Sequence, residues 1–152
     1  MIETLTMRLF TIAGLALLFA LSISWETDFE KAREKAKKEH KLVLLKFSGS
    51  DWCIPCIRMQ KEIFESDAFA KFADSSLVLV NADFPRLKKN KLSKDQQKDN
   101  DKLAEKYNKQ GTFPLTLLMD HKGQVLKSWE SYTKMTPEQF ISQIKPLLNA
   151  GN

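Results

Sequence analysis

Between Leu42 and Cys56 the chain reads LVLLKFSGSDWCIPC. Leu42 to Phe47 is a short apolar run broken by one lysine, the pattern of a buried strand. Ser48-Gly49-Ser50-Asp51 is turn chemistry. Beyond the second cysteine, Ile57, Met59, Ile63 and Phe64 carry a helical pattern that continues to Phe69 and Phe72. Cys53 and Cys56 therefore stand where a strand has ended and a helix begins.

That position has a chemical consequence. The first turn of a helix carries unpaired backbone N–H groups and the positive end of the helix dipole. A thiolate is stabilised there, so the thiol pKa falls below its free value of about 8.5. Cys53, at the N-cap, is expected to be the exposed nucleophile. Cys56, one turn further in, is expected to be shielded and to resolve a mixed disulfide. Pro55 lacks an N–H where losing one costs little, and Ile54 and Pro55 together tune the pair. Two plainer readings compete, and coincidental spacing is a third. A structural disulfide closing so small a loop restrains the unfolded chain little. Half of a metal site needs a second half, and the chain offers only His40 and His121 besides its two cysteines. Neither a metal nor a cofactor is expected, other than the Cys53–Cys56 pair itself.

Composition sets the outer bounds. The chain has 152 residues, 24 Lys+Arg and 19 Asp+Glu, a formal charge of +5, and 43% hydrophobic residues. This suits one globular domain with a real core and excludes disordered, collagenous and disulfide-stapled classes. The basic residues are spread along the chain and interleaved with acids. A nucleic-acid surface needs a concentrated stripe, so no nucleic-acid partner is expected.

The remaining chain supplies a fold. Asp28 to Glu39 is a charged helix with a thin apolar stripe at Phe29, Ala32 and Ala36. Leu77 to Ala82 is a second buried strand. Phe84 to Asn100 is the least structured stretch, and its second half leads into a helix through Ser93 and Gln96, spaced as a capping box. Arg86 to Lys109 carries nine Lys/Arg and four Asp/Glu. A solvated face is the simpler reading of that run, and docking on an acidic partner or a membrane surface is the other. Leu115 to Met119 and Gln124 to Trp129 are two strands joined by a turn, hence a hairpin. Thr136-Pro137-Glu138-Gln139 opens a last helix whose buried face is Phe140, Ile141, Ile144, Leu147 and Leu148, with Pro146 placed to kink it. Trp25, Trp129 and Tyr107 are read as core. A strand–helix–strand unit implies a parallel pair, and the hairpin adds antiparallel strands. The fold class is α/β, a central mixed sheet with helices on both faces.

Residues 1–24 are read as an address. Leu9 to Leu21 is almost wholly apolar, Arg8 precedes it, and Ser22-Ile23-Ser24 offers a small-x-small exit. This is the pattern of a secretory signal, and the run is short for a spanning helix. Cleavage after Ser24 leaves residues 25–152 as the domain, and an uncleaved membrane anchor is the alternative. Either way the domain is expected outside the cytoplasm, in a periplasmic or other extracytoplasmic, oxidising compartment.

SGSDWCIPC resembles the active-site segment of the thioredoxin-like superfamily, specifically its exported disulfide reductases and interchange proteins. The likeness extends over about residues 25–149. A second motif supports it, since Gln110-Gly111-Thr112-Phe113-Pro114-Leu115 falls where the family carries its cis-proline loop. The resemblance implies a thioredoxin fold, a cis Pro114 facing the cysteines, and a Phe113 backbone that pairs with an extended substrate. Trp52 would pack beside the thiols as part of the docking surface, or serve as a plain core aromatic. Asp51 would raise the thiol pKa slightly or simply serve the turn.

The family often places a buried aspartate in the strand before the motif, to take the resolving cysteine's proton. Lys46 and Phe47 occupy that part of this strand. Lys46 either snorkels out from the strand end, the ordinary expectation, or substitutes as a lysine of lowered pKa. The implied activity is thiol–disulfide exchange on protein substrates, reductive rather than oxidative, by a monomer working with a separate redox partner. The alternative is a thioredoxin-fold binding or assembly module with an inert bridge.

Overall fold

A computed structural model describes residues 23–149. Five strands form its sheet: β1 (Trp25–Glu26), β2 (Leu42–Ser48), β3 (Leu77–Asp83), β4 (Leu115–Met119) and β5 (Val125–Glu130), in the spatial order β1-β3-β2-β4-β5. The strand β2 is central and buried along all seven residues. It runs parallel to β3 from Leu42↔Leu77 to Ser48↔Asp83, and antiparallel to β4 from Val43↔Met119 to Phe47↔Leu115. β4 and β5 form the expected antiparallel hairpin.

Side-chain alternation in the central strand divides the core in two. Leu42 and Leu44 face one layer, formed by α2 (Ile54–Met59), α3 (Asp67–Ser76) and α5 (Pro137–Ile144), whose anchors include Met59, Phe69 and Phe140. Val43, Leu45 and Phe47 face the other, formed by α1 (Phe29–Glu39) and α4 (Lys94–Tyr107), with Phe29, Ala32 and Ala36 against the sheet. The mixed sheet with helices on both faces is therefore present. By the same alternation Lys46 belongs to the face of Leu42 and Leu44, beneath α2.

The structure departs from the sequence reading in several places. The helix after the cysteines is not continuous to Phe72. It passes from α2 into a five-residue π-helical turn, Gln60–Phe64, and stops. Ser66 restarts it as α3, its hydroxyl donating to Ile63 O at 2.7 Å and accepting from Phe69 N at 3.2 Å. Trp25 and Glu26 form an edge strand on Leu79 and Val80, where only a core tryptophan was expected. Ser93 caps α4, but the Gln96 side chain binds Thr27 O and Asn100 Oδ1 instead of closing the box. The box at Thr136 and Gln139 does close. Pro146 ends α5 at Ile144 and leaves a 3-10 turn over Lys145–Leu147. The expected address lies outside the described residues except for Ile23 and Ser24, and Ile23 packs against the core. Among the described residues no helix is long and apolar enough to cross a membrane.

Candidate active site

Cys53 is the N-cap of α2, with extended backbone at φ −86° and ψ 98°. Its amide donates to Gly49 O at 2.9 Å, which closes the turn, and its Sγ accepts the Cys56 N–H at 3.3 Å. The two sulfurs are joined as a disulfide. Pro55 lies in the first helical turn, as its missing donor favours. In this oxidised state Cys53 is not the exposed partner that its N-cap position suggested. It is 4% exposed and Cys56 is 5%, because both sulfurs are committed to each other and to the helix N-terminus. The residues that do reach solvent are the two between the cysteines, Ile54, at 61%, and Pro55.

Trp52 is held rather than merely packed. Its indole lies so close to Gly49 that a Cβ added there would stand 2.2 Å from a ring carbon. Its Nε1 donates to Phe84 O at 2.7 Å. Its ring meets Phe113 edge-on at 5.5 Å, and Phe113 meets Phe84 at 5.6 Å. The Phe113–Pro114 peptide is cis. The tryptophan before the cysteines and the aromatic before the cis-proline are thus brought together from segments some sixty residues apart.

Lys46 does not snorkel. It is 8% exposed, and its amine sits 4.0 Å from the centroid of the Trp25 ring and 5.4 Å from that of Phe64. It donates a hydrogen bond to Gln60 Oε1. The reason is positional: β2 is central, its neighbours cover both edges, and Trp25 on β1 closes over the amine. Burial pushes the Lys46 pKa down to about 8, against the opposing pull of the Asp83 and Glu65 carboxylates. Lys46 and Cys56 line one cavity of about 320 Å3, together with Trp25, Ser48, Gln60 and Glu65.

Two carboxylates near the active-site turn make bonds that the sequence did not disclose. Asp83, at the end of β3, accepts from Ser48 Oγ at 3.2 Å, Ser50 N at 2.9 Å and Ser50 Oγ at 2.5 Å. It reaches them because the parallel register places Asp83 opposite Ser48. Asp51 does not serve its own turn with its side chain. It accepts from Arg86 N, Leu87 N and Asn90 Nδ2 at 2.9–3.0 Å, and these bonds hold its carboxyl below the usual range. Gln60, Glu65 and Trp25 were also missed as neighbours of the lysine. The apolar spacing around them pointed only to helix and core. Among the described residues no group of three or more His, Cys, Asp or Glu side chains converges to hold a metal ion.

A strand, a tight turn, a bridged C-x-x-C at a helix N-terminus and a cis-proline beside it form one constellation, and residues 24–120 match the family model described as thioredoxin-like. The chain belongs to the thioredoxin-like family. Within it, the chain is 38% identical over 107 residues to the disulfide bond reductase DsbH of Chlamydia pneumoniae, covering 70% of this chain and 62% of that one. It is 33% identical over 100 residues to the thioredoxin-related protein DsbJ of the same organism, covering 66% of this chain and 28% of that one. The chain thus spans less than two thirds of the length of these curated relatives. A solved DsbH oxidoreductase structure superposes with a TM-score of 0.74 at 33% identity, over 84% of this chain and 85% of that one. A thioredoxin from Thermus thermophilus superposes at 0.63 with 13% identity, over 86% of this chain and 91% of that one, which speaks for the thioredoxin fold alone. Against the pattern that the thioredoxin-like resemblance implied, the departure is a buried lysine where a carboxylate is often found.

Proposed function

We propose that the chain is a thiol–disulfide oxidoreductase that reduces protein disulfides outside the cytoplasm. One observation carries the reading: the only two cysteines are bridged to each other at the N-terminus of α2, in a chain that also places a cis Phe113–Pro114 peptide against Trp52. The kinship with a disulfide reductase supports the direction of electron flow, as does Pro55 between the cysteines. The expected leader over residues 1–24 supports export, either as a cleaved signal or as an anchor.

In the reduced protein the Cys53 thiolate attacks one sulfur of a substrate disulfide. A Cys53–substrate bond forms, the substrate's own S–S bond breaks, and the leaving sulfur takes up a proton. Cys56 then gives up its proton and attacks Cys53 Sγ. The Cys53–Cys56 bond forms, and the second substrate thiolate departs and is protonated. Two electrons have passed to the substrate, and a dithiol donor must return the pair to its reduced form. Trp52, Phe113 and Pro114 hold the extended substrate segment across the thiols. Lys46 receives the Cys56 proton across their shared cavity. With its pKa near 8, close to that of a thiol, its amine can accept this proton and leaves a cation that stabilises the Cys56 thiolate.

The test is turnover of insulin disulfides with dithiothreitol as donor. The full chain should exceed the dithiothreitol background, and Cys53→Ser should return the rate to it. Cys56→Ser should accumulate mixed disulfides through Cys53. Wild-type turnover at background, with a reduction potential too negative for exchange with dithiol donors, would leave a binding module with an inert bridge.

A further inference from the structure

The basic run from Arg86 to Lys109 is not one feature. From Lys94 onward, on α4, lysines alternate with Asp95, Asp99, Asp101 and Glu105, the pattern of a solvated helix face. Before it, Phe84 to Ser93 carries Arg86, Lys88, Lys89 and Lys91 and no acid at all. Arg86 to Lys91 are all exposed. Among the described residues, none of these four cations pairs with a protein carboxylate within 4 Å.

This loop is fixed to the turn that carries Cys53. Phe84 N donates to Ser48 O at 2.8 Å, and Phe84 O accepts from Trp52 Nε1. The Asp51 carboxylate, two residues before the nucleophile, gathers Arg86 N, Leu87 N and Asn90 Nδ2. The Arg86 guanidinium lies 3.7 Å from the centroid of the Trp52 ring. Leu87 at 48% and Ile54 at 61% are two of the three large hydrophobic side chains most exposed among the described residues. A cationic rim with apolar contacts is thus held in place beside the turn that carries Cys53, by a carboxylate that binds two backbone amides and the Asn90 side-chain amide.

We infer that this loop selects the substrate, favouring polypeptide segments with aspartate or glutamate flanking the disulfide to be reduced. The inference rests on the oxidoreductase reading above. Unpaired cations at the mouth of a reactive site raise the local concentration of anionic partners and speed their encounter, and salt screens the effect. Asp51 is a positioning residue in this scheme, since it orders the loop without meeting substrate.

The test uses the full chain and two disulfide-bonded peptides, identical except that Asp and Glu in one replace Lys and Arg in the other. Rates are normalised to hydroxyethyl disulfide, a small neutral substrate that reads thiol chemistry alone. The wild type should prefer the acidic peptide in kcat/KM by about tenfold or more at low salt. The preference should collapse at 0.5 M NaCl and reverse in K88E/K89E/K91E. Asp51→Asn should weaken it while hydroxyethyl disulfide turnover persists. Equal use of both peptides, turnover of neither, or a preference that survives the triple substitution overturns the inference. Preferential binding to anionic over neutral vesicles that the triple substitution abolishes, without a peptide preference, assigns the loop to a membrane surface and also overturns it. Failure to turn over hydroxyethyl disulfide instead overturns the oxidoreductase reading.

Discussion

Lys46 is a charged group in a place built for an apolar one. Its neighbours, element by element, are Trp25 on β1, Asn81 and Asp83 on β3, Thr116 on β4, and Gln60, Phe64 and Glu65 at and after the π-helical turn. The folded-state pKa of about 8 lies below the ordinary lysine value of 10.5. Between those two values the unfolded chain holds the proton and the folded chain does not, so stability rises with pH. The wild type should therefore gain on the order of 3 kcal/mol from below pH 8 to above pH 10.5 relative to Lys46→Met. Urea unfolding at pH 7 and pH 10.5 measures this, and parallel curves for the two proteins would refute it. The same substitution should slow insulin turnover at pH 7.5 by about tenfold or more and remove the inflection near pH 8. Gly49 is the other decisive residue. Gly49→Ala would drive the Trp52 indole from its seat, and protein-disulfide turnover should fall at least about tenfold, with loss of the tryptophan's near-ultraviolet circular dichroism.

At the scale of elements, the cap at Thr136 is a self-contained case. Thr136 Oγ1 accepts from Gln139 N, and Gln139 Oε1 accepts from Thr136 N. Thr136→Ala should cost about 1 kcal/mol, measurable as a shift in urea midpoint at constant slope. This cap was legible because its chemistry is local. So were β2, the hairpin of β4 and β5, and the placement of Cys53 before α2. What escaped depends on residues far apart in sequence. β1 is two residues long and exists only because Leu79 and Val80 offer an edge. Asp83 reaches Ser50, and Trp25 covers Lys46, through strand register alone. The π-helical turn arises inside a pattern whose apolar spacing suits an unbroken helix.

For the molecule as a whole, the two apolar layers carry most of the fold, and the bridge adds the lesser share. The disulfide closes a loop of four residues, worth about 2 kcal/mol by chain entropy, a small part of a typical 5–15 kcal/mol. The reduced protein should therefore stay folded, with a thermal midpoint about 10 °C below that of the oxidised one. Thermal scans with and without dithiothreitol check this, and unfolding at room temperature on reduction would contradict it. Phe69→Ala, which opens the α3–α5 layer, should cost more, about 3–5 kcal/mol.

The sulfur of Cys53 is also the atom that accepts the first-turn amide of Cys56. A single backbone proton therefore listens to every bond that sulfur makes or breaks. Its resonance in a nitrogen-15 spectrum should differ among the free thiolate, the mixed disulfide and the closed bridge. Turnover can then be followed at the reacting atom itself, without a label on the substrate.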